Sequence, residues 1–331
     1  MLGRILKLSS SARNRLVHEQ RLFSTAATPY MLLRSSDAVE ERLVSIDCFD
    51  PRKQETVKIP VPEEIQESVT IGSSRGWVCL KNIHDSSVRL TNVFNPACSS
   101  AKVVSLPPLP PANLVKVSNM ALSASPDEEG CDCVVAVKFR PPIIGLCRPG
   151  DSGWTYIQTP EAPAVSKSNV MYSVTDQKFY LNTSSRLITT SSNFPPVSPY
   201  PRFHNEENVG LLILACRATP YLVETPSGEP LLVFWFKEMS ESDPEKSESS
   251  FIVHDLRKSC HTRDIGNLCI FLGDKNEAFC VSATDYPGLH PNSVYFGSSD
   301  SGLGFFDLAS LTLHYLTDST TPDSMWLAPL H

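Results

Sequence analysis

Beyond residue 40 the chain is a succession of short apolar runs. Some alternate with polar residues; others are unbroken for a few positions, and Gly, Pro, Asn, Asp or Ser ends each one. Period-two alternation marks a half-exposed strand, and a short unbroken run between turn residues fits a strand buried on both faces. The pattern predicts strands at 42–49, 69–71, 77–80, 88–93 and 101–106, then at 133–139, 143–147, 154–158, 170–174, 178–181 and 187–190. A last group falls at 211–216, 221–224, 230–236, 251–255, 269–271, 278–282, 293–296 and 304–307. The 27 prolines oppose long helices, because interior proline removes a donor and clashes with the preceding turn. Only 63–68 and the first residues read as helical. Two segments read as loops, the proline-rich 194–208 and the acidic, serine-rich 238–250.

So many short strands exceed one sandwich. Radial repetition of small sheets accommodates them and leaves only short edges. The expected fold class is therefore all-β, a β-propeller-like array of short antiparallel sheets, with paired β-sandwiches as the alternative. Aromatic strand ends recur irregularly, as in Gly76-Trp77, Gly153-Trp154 and Tyr295-Phe296.

The first residues follow another rule. Arg4, Lys7, Arg13, Arg15 and Arg21 stand against one acid, Glu19, with Leu2, Ile5, Leu6 and Leu8 able to share a helix face. An amphipathic, Arg-rich, Ser-rich, acid-poor leader is the pattern of an organelle transit peptide. Arg21-Leu22-Phe23-Ser24 resembles a mitochondrial processing site that leaves Ser24 at the new terminus, so Arg21, Phe23 and Ser24 are the expected processing residues. A basic helix lying on a membrane or on nucleic acid is the competing reading of the composition. The expected organisation is a transit peptide at 1–23, a linker at 24–39, the β domain at 40–320 and a C-terminal tail at 321–331. The expected location is the mitochondrial matrix, with the chloroplast as alternative.

Charge narrows the partners. The chain carries a formal −7; residues 1–23 hold five cations and one acid, which leaves −11 on residues 24–331. Nucleic-acid binding needs clustered Lys and Arg to displace counterions, and no such cluster follows Arg21. No apolar stretch approaches the length of a membrane span, so no membrane insertion is expected. The ten cysteines are scattered, mostly in apolar runs, where a free thiol packs as a small hydrophobe. Cys131-Asp132-Cys133 lacks both the spacer and the second pair of a zinc site. No metal and no cofactor is expected.

Several runs carry a recognisable order. Ile71-Gly72-Ser73-Ser74-Arg75-Gly76-Trp77 is followed by Val93-Phe94-Asn95-Pro96, by Cys147-Arg148-Pro149-Gly150-Asp151-Ser152-Gly153-Trp154, and by His290-Pro291-Asn292-Ser293-Val294-Tyr295-Phe296. The series resembles the plant family catalogued as domain of unknown function 295, the KIB-type β-propeller, over about residues 40–310. The resemblance implies a propeller body. Many relatives carry an N-terminal F-box and act as ubiquitin-ligase adaptors. Here a transit peptide stands in that place, which looks like an organellar branch of the family and sets the ubiquitin role aside.

The motif residues are structural in kind. Gly72 and Gly76 permit backbone shapes closed to other residues. Trp77 and Trp154 are expected core anchors whose indole N–H needs an acceptor. Asn95-Pro96 and Asn292 supply turn chemistry, and Tyr295 a further aromatic anchor. None of the eight histidines forms a ligand-spaced pair, and no Gly-x-Ser-x-Gly elbow occurs. No catalytic residue is nominated. Two functions stay open: a non-enzymatic interaction or adaptor module for an unknown protein partner, imported by the organelle's machinery, or a hydrolase-like enzyme with a site on the propeller axis.

Overall fold

The computed structural model describes residues 28–34, 43–96, 98, 100–110, 116–128, 130, 132–140, 143–158, 168–181, 193–201, 218–239, 247–299, 301–317 and 324–330. Arg21, Phe23 and Ser24 lie outside the described residues, as do the expected strands 187–190 and 211–216.

The described strands form six small sheets set around an axis, a six-bladed β-propeller. The first blade holds β1 (Tyr30–Arg34), β2 (Ser45–Asp50) and β3 (Glu55–Pro60), and the second β4 (Ser68–Ser74), β5 (Trp77–Asn82), β6 (Val88–Thr91) and β7 (Val103–Leu106). The third is β8 (Lys116–Leu122), β9 (Val135–Arg140), β10 (Ile143–Cys147) and β11 (Thr155–Gln158). The fourth is β12 (Met171–Ser173), β13 (Lys178–Leu181) and β14 (Val197–Pro199). The fifth is β15 (Thr219–Glu224), β16 (Pro230–Met239), β17 (Ser247–Asp255) and β18 (Cys260–Thr262). The sixth holds β19 (Leu268–Gly273), β20 (Phe279–Ser282), β21 (Ser293–Ser298), β22 (Gly302–Asp307) and β23 (Thr312–Thr317). The last strand, β24 (Met325–Leu327), returns to the first blade. Of the expected helix at 63–68, one 3-10 turn forms, Glu63–Ile65 after Pro62.

The unbroken apolar runs now have a cause. Each blade packs against a neighbour on both faces, so its middle strands have no solvent side. On β5, Val78 and Leu80 face the first blade with Leu32, Ile46 and Cys48. Trp77 and Cys79, pointing the other way, join Met120, Val135 and Val137 of the third. Similar clusters fill the other interfaces, for example Trp235 with Phe251 and Phe296 between the fifth and sixth blades. The outermost β3 is exposed at almost every position, with Glu55, Thr56 and Lys58 alternating with Val57 and Ile59 ahead of Pro60.

Ring closure departs from the expected boundaries. β1 falls inside the segment read as a linker and β24 inside the segment read as a tail, yet the two pair with each other. Met31 lies opposite Trp326 and Leu32 opposite Met325. A ring of sheets has two free edges unless the chain's distant ends share a blade, and these short segments serve that purpose. Two pairings are parallel, β13 with β14 and β19 with β21. In the sixth blade the chain leaves β19, runs inward to form the axis-lining β20, and returns to pair β21 on the other side of β19. The expected loop at 238–250 is also shorter, because the β16–β17 ladder continues to Met239 opposite Ser247.

One charge is sealed between the third and fourth blades. Lys138 has no solvent exposure, and its Nζ donates to the Ser168 carbonyl. Burial, with a smaller contribution from Arg140, lowers its pKa to about 7. Between that value and the ordinary one near 10.5 the unfolded chain holds a proton that the folded chain does not. Stability should therefore rise with pH from about 7 to 8.5, by roughly 2 kcal/mol, above which the buried Cys48, Cys79 and Cys280 thiols, held protonated by the fold, oppose the rise. Urea unfolding of the reduced protein from pH 6.5 to 8.5 measures this. Lys138→Met should flatten the rise, and parallel pH profiles would refute the assignment.

Candidate functional site

The innermost strands β24, β4, β8, β12, β15 and β20 follow one another around the axis. Residues 273–278, between β19 and β20, cross the space they enclose and bond to four other blades. The Gly273 carbonyl accepts from Asn169 Nδ2 and from the Tyr221 hydroxyl, each at 3.4 Å. Lys275 Nζ donates to the Thr70 carbonyl at 3.2 Å. Asn276 Oδ1 accepts from the Trp326 N–H at 3.3 Å, and its Nδ2 donates to the Glu277 carbonyl at 2.9 Å. The segment is a polar plug, exposed at Asp274 and buried from Asn276 to Ala278.

Beside the plug, the β4–β5 hairpin turns at Arg75 and Gly76, both at positive φ (50° and 78°). Two successive left-handed residues make the tight turn that suits strand twist. A side chain at Gly76 would run into Leu330, its Cβ falling 2.6 Å from Leu330 Cδ2. Gly72 answers a different need: a Cβ there would lie 2.6 Å from Met120 Cγ and 3.1 Å from the Lys275 carbonyl, so the plug and β8 can approach only glycine.

This hairpin brings Ser73, Ser74 and Arg75 to the plug. Ser73 Oγ donates to the Trp326 carbonyl at 2.6 Å, and the Glu277 N–H donates to the Ser73 carbonyl at 2.8 Å. Ser74 Oγ accepts from the Leu122 N–H at 3.0 Å and donates to Glu277 Oε2. The other Glu277 oxygen accepts from the Tyr172 N–H at 2.6 Å. Burial pushes the Glu277 carboxyl up, while the Arg75 charge and these hydrogen bonds act in the opposite direction. Arg75 is half-buried, with Nε donating to the Leu122 carbonyl at 2.9 Å and its guanidinium carbon 5.8 Å from the Tyr172 ring centre.

Above this floor opens a pocket of about 490 Å³. Five blades contribute to its wall: Ala328 and Pro329 from the first, Arg75 from the second, Tyr172 and Val174 from the fourth, Glu224 from the fifth, and Phe279 and Tyr286 from the sixth. Glu224 fastens the turn after β12, accepting from the N–H groups of Val174 (2.8 Å) and Thr175 (3.0 Å) and from the Thr175 hydroxyl. Among the described residues no group of three or more His, Cys, Asp or Glu is arranged to hold a metal ion. No helix among them is long and apolar enough to cross a membrane.

The nominated anchors do not converge on this pocket; Gly72 and Gly76 alone shape its floor. Trp77 is fully buried, its Nε1 donating to Ser125 Oγ at 3.0 Å. Trp154 is only partly buried, with Nε1 bonded to the Pro107 carbonyl at 2.8 Å, because it stands in the turn before β11 rather than on a middle strand. Asn95 and Pro96 lie in the turn after β6, where the Asn95 N–H donates to the Asn92 carbonyl at 3.0 Å. Asn292 (φ 53°) holds the 263–265 loop through Ile265 N–H at 2.8 Å and the Arg263 carbonyl at 3.0 Å. Tyr295 stacks on Phe271 at 4.8 Å, and its hydroxyl accepts from the His290 N–H. Arg75, Glu277 and Tyr172 were not singled out. The available signal was weak: a polar run, Asp274-Lys275-Asn276-Glu277, between two apolar strands, which also describes an ordinary turn.

The sequence profile of the KIB1-4 β-propeller family matches residues 48–307. The chain belongs to that family. The KIB1-4 match leaves β1 and β24 outside its bounds, although both complete the first blade. No curated protein matches the chain. Among solved structures, an ancestral GH74 enzyme is similar at 11% identity and a TM-score of 0.33, covering 91% of this chain and 40% of its own. The BBS1N–ARL6DN complex gives 11% identity and a TM-score of 0.34, covering 90% of this chain and 81% of its own. The KIB1-4 chain thus spans less than half the length of the first of these.

Proposed function

We propose that this KIB1-4 propeller is a non-enzymatic interaction or adaptor module of the mitochondrial matrix, from a plant organellar branch of the family, and that it docks its protein partner at the mouth of the axial pocket. The observation that carries the reading is the wall itself. Segments from five blades meet around one concavity, so a single inserted chain segment touches most of the ring while loop sequence varies on a rigid scaffold. Val174, on the rim, is 58% exposed, an apolar contact left open to a partner. The hydrolase reading finds less support. Both Glu277 oxygens already accept hydrogen bonds, and Glu224 is engaged by the 174–175 backbone.

The test is affinity capture from isolated mitochondria with wild-type chain, Val174→Glu and, as control, Val57→Glu on the exposed β3. Partners should be lost from Val174→Glu alone. Terminal peptide mapping of the captured protein should begin at or near Ser24. An intact Met1 terminus on most molecules, or equal recovery of partners with both variants, would refute the proposal.

A further inference from the structure

Within the pocket, hydrogen-bonding capacity is unevenly used. The acids are engaged: Glu277 by Ser74 and Tyr172, Glu224 by Val174 and Thr175, while Asp285 stands exposed on the outer rim. The cation is not. Arg75 uses Nε on the Leu122 carbonyl, and neither of its terminal nitrogens has an acceptor among the described residues. That bond, together with the Tyr172 ring, holds the guanidinium in place. It does so at a turn position that favours Asn, Asp or Gly over arginine. A half-buried guanidinium with unused N–H groups is a fork suited to a carboxylate, which it can bind through two parallel hydrogen bonds. Around it stand Met171, Val174, Phe279, Val281 and Tyr286, so the group that enters must carry apolar surface beside its acceptor. With Glu224, Glu277 and Asp285 also on the wall, a doubly charged phosphate is repelled more strongly than a singly charged carboxylate, which Arg75 can still meet through its terminal N–H groups.

We propose that the axial pocket is a carboxylate-binding site that takes an Asp or Glu side chain, or the chain-terminal carboxylate, of an apolar-flanked peptide, with Arg75 as the residue that reads it. This rests on the docking face proposed above and specifies its ligand. The experiment pans a randomised hexapeptide library with free C-termini on the full chain. Selected peptides are then resynthesised with each carboxylate in turn converted to its amide, and titrated by calorimetry. Amidation of one carboxylate should weaken binding at least tenfold. Arg75→Gln should lose the same factor on the acid peptide and nothing on its amide, and Arg75→Lys should keep part of it. Which carboxylate matters separates side chain from chain terminus. If Arg75→Gln does not fold, the acid–amide comparison on wild-type protein still decides. Equal affinity of acid and amide, selection of basic peptides, no peptide selected at all, or hexanoate binding as tightly as the peptides would overturn the assignment. Carboxylate-independent binding that Val174→Glu abolishes would do so while leaving the docking face in place.

Discussion

Deleting residues 324–331 should leave the chain without a cooperative folded state. Met325, Trp326 and Leu327 are fully buried: Trp326 faces the last blade, meeting Phe271 edge-on at 4.9 Å, while Met325 and Leu327 pack toward the second. Burying such side chains contributes about 1.5–3 kcal/mol each. Loss of all three removes roughly 5–8 kcal/mol, comparable with the entire stability of an ordinary domain. The deletion also strips the Ser73 hydroxyl and Asn276 of their Trp326 partners, leaving buried polar groups unmatched. Thermal unfolding followed by near-ultraviolet circular dichroism measures the effect. A cooperative transition within a few degrees of wild type would show that the ring closes without β24. Trp326→Phe is the milder companion. The indole N–H has no acceptor among the described residues, so that change removes volume but no hydrogen bond.

Trp77→Ala should destabilise the protein by about 3–5 kcal/mol, the cost of deleting a large core aromatic and leaving a cavity. The ring lies in the cluster between the second and third blades, and its N–H is matched by Ser125 Oγ. Trp154→Ala should cost clearly less, because one side of that ring already meets solvent and only part of the transfer free energy is lost. Urea unfolding of both variants side by side tests the ordering. Equal losses would mean that partial exposure of Trp154 does not reduce its contribution.

The two tryptophans also show how far a one-dimensional pattern reaches. Both follow a glycine and both begin an apolar run, so they read alike. Trp77 opens β5, a middle strand with a blade on either face, whereas Trp154 precedes β11, the outer strand of its blade. Distance from the axis separates them, and no local periodicity encodes it. The same holds for the pocket. Arg75 and Glu277 are far apart in the chain, and they meet because a hairpin tip and a plug segment are drawn to one point by six blades closing around it.

The sequence by itself determined most of the middle strands, the all-β class, the propeller-like repetition and the family. These follow from alternation, turn residues and proline, each of which acts within a few residues of itself. It missed β3, β8, β18 and β23, and it read as a loop the segment that holds β14. Tertiary structure alone decided the number of blades and the closure of the ring by β1 and β24, segments too short and too remote from each other to announce a shared sheet. It also decided the inward excursion that forms β20 and the polar plug, and with them the pocket. Those features arise from pairings between distant segments, whose free energy comes from mutual burial and is absent until the ring is closed.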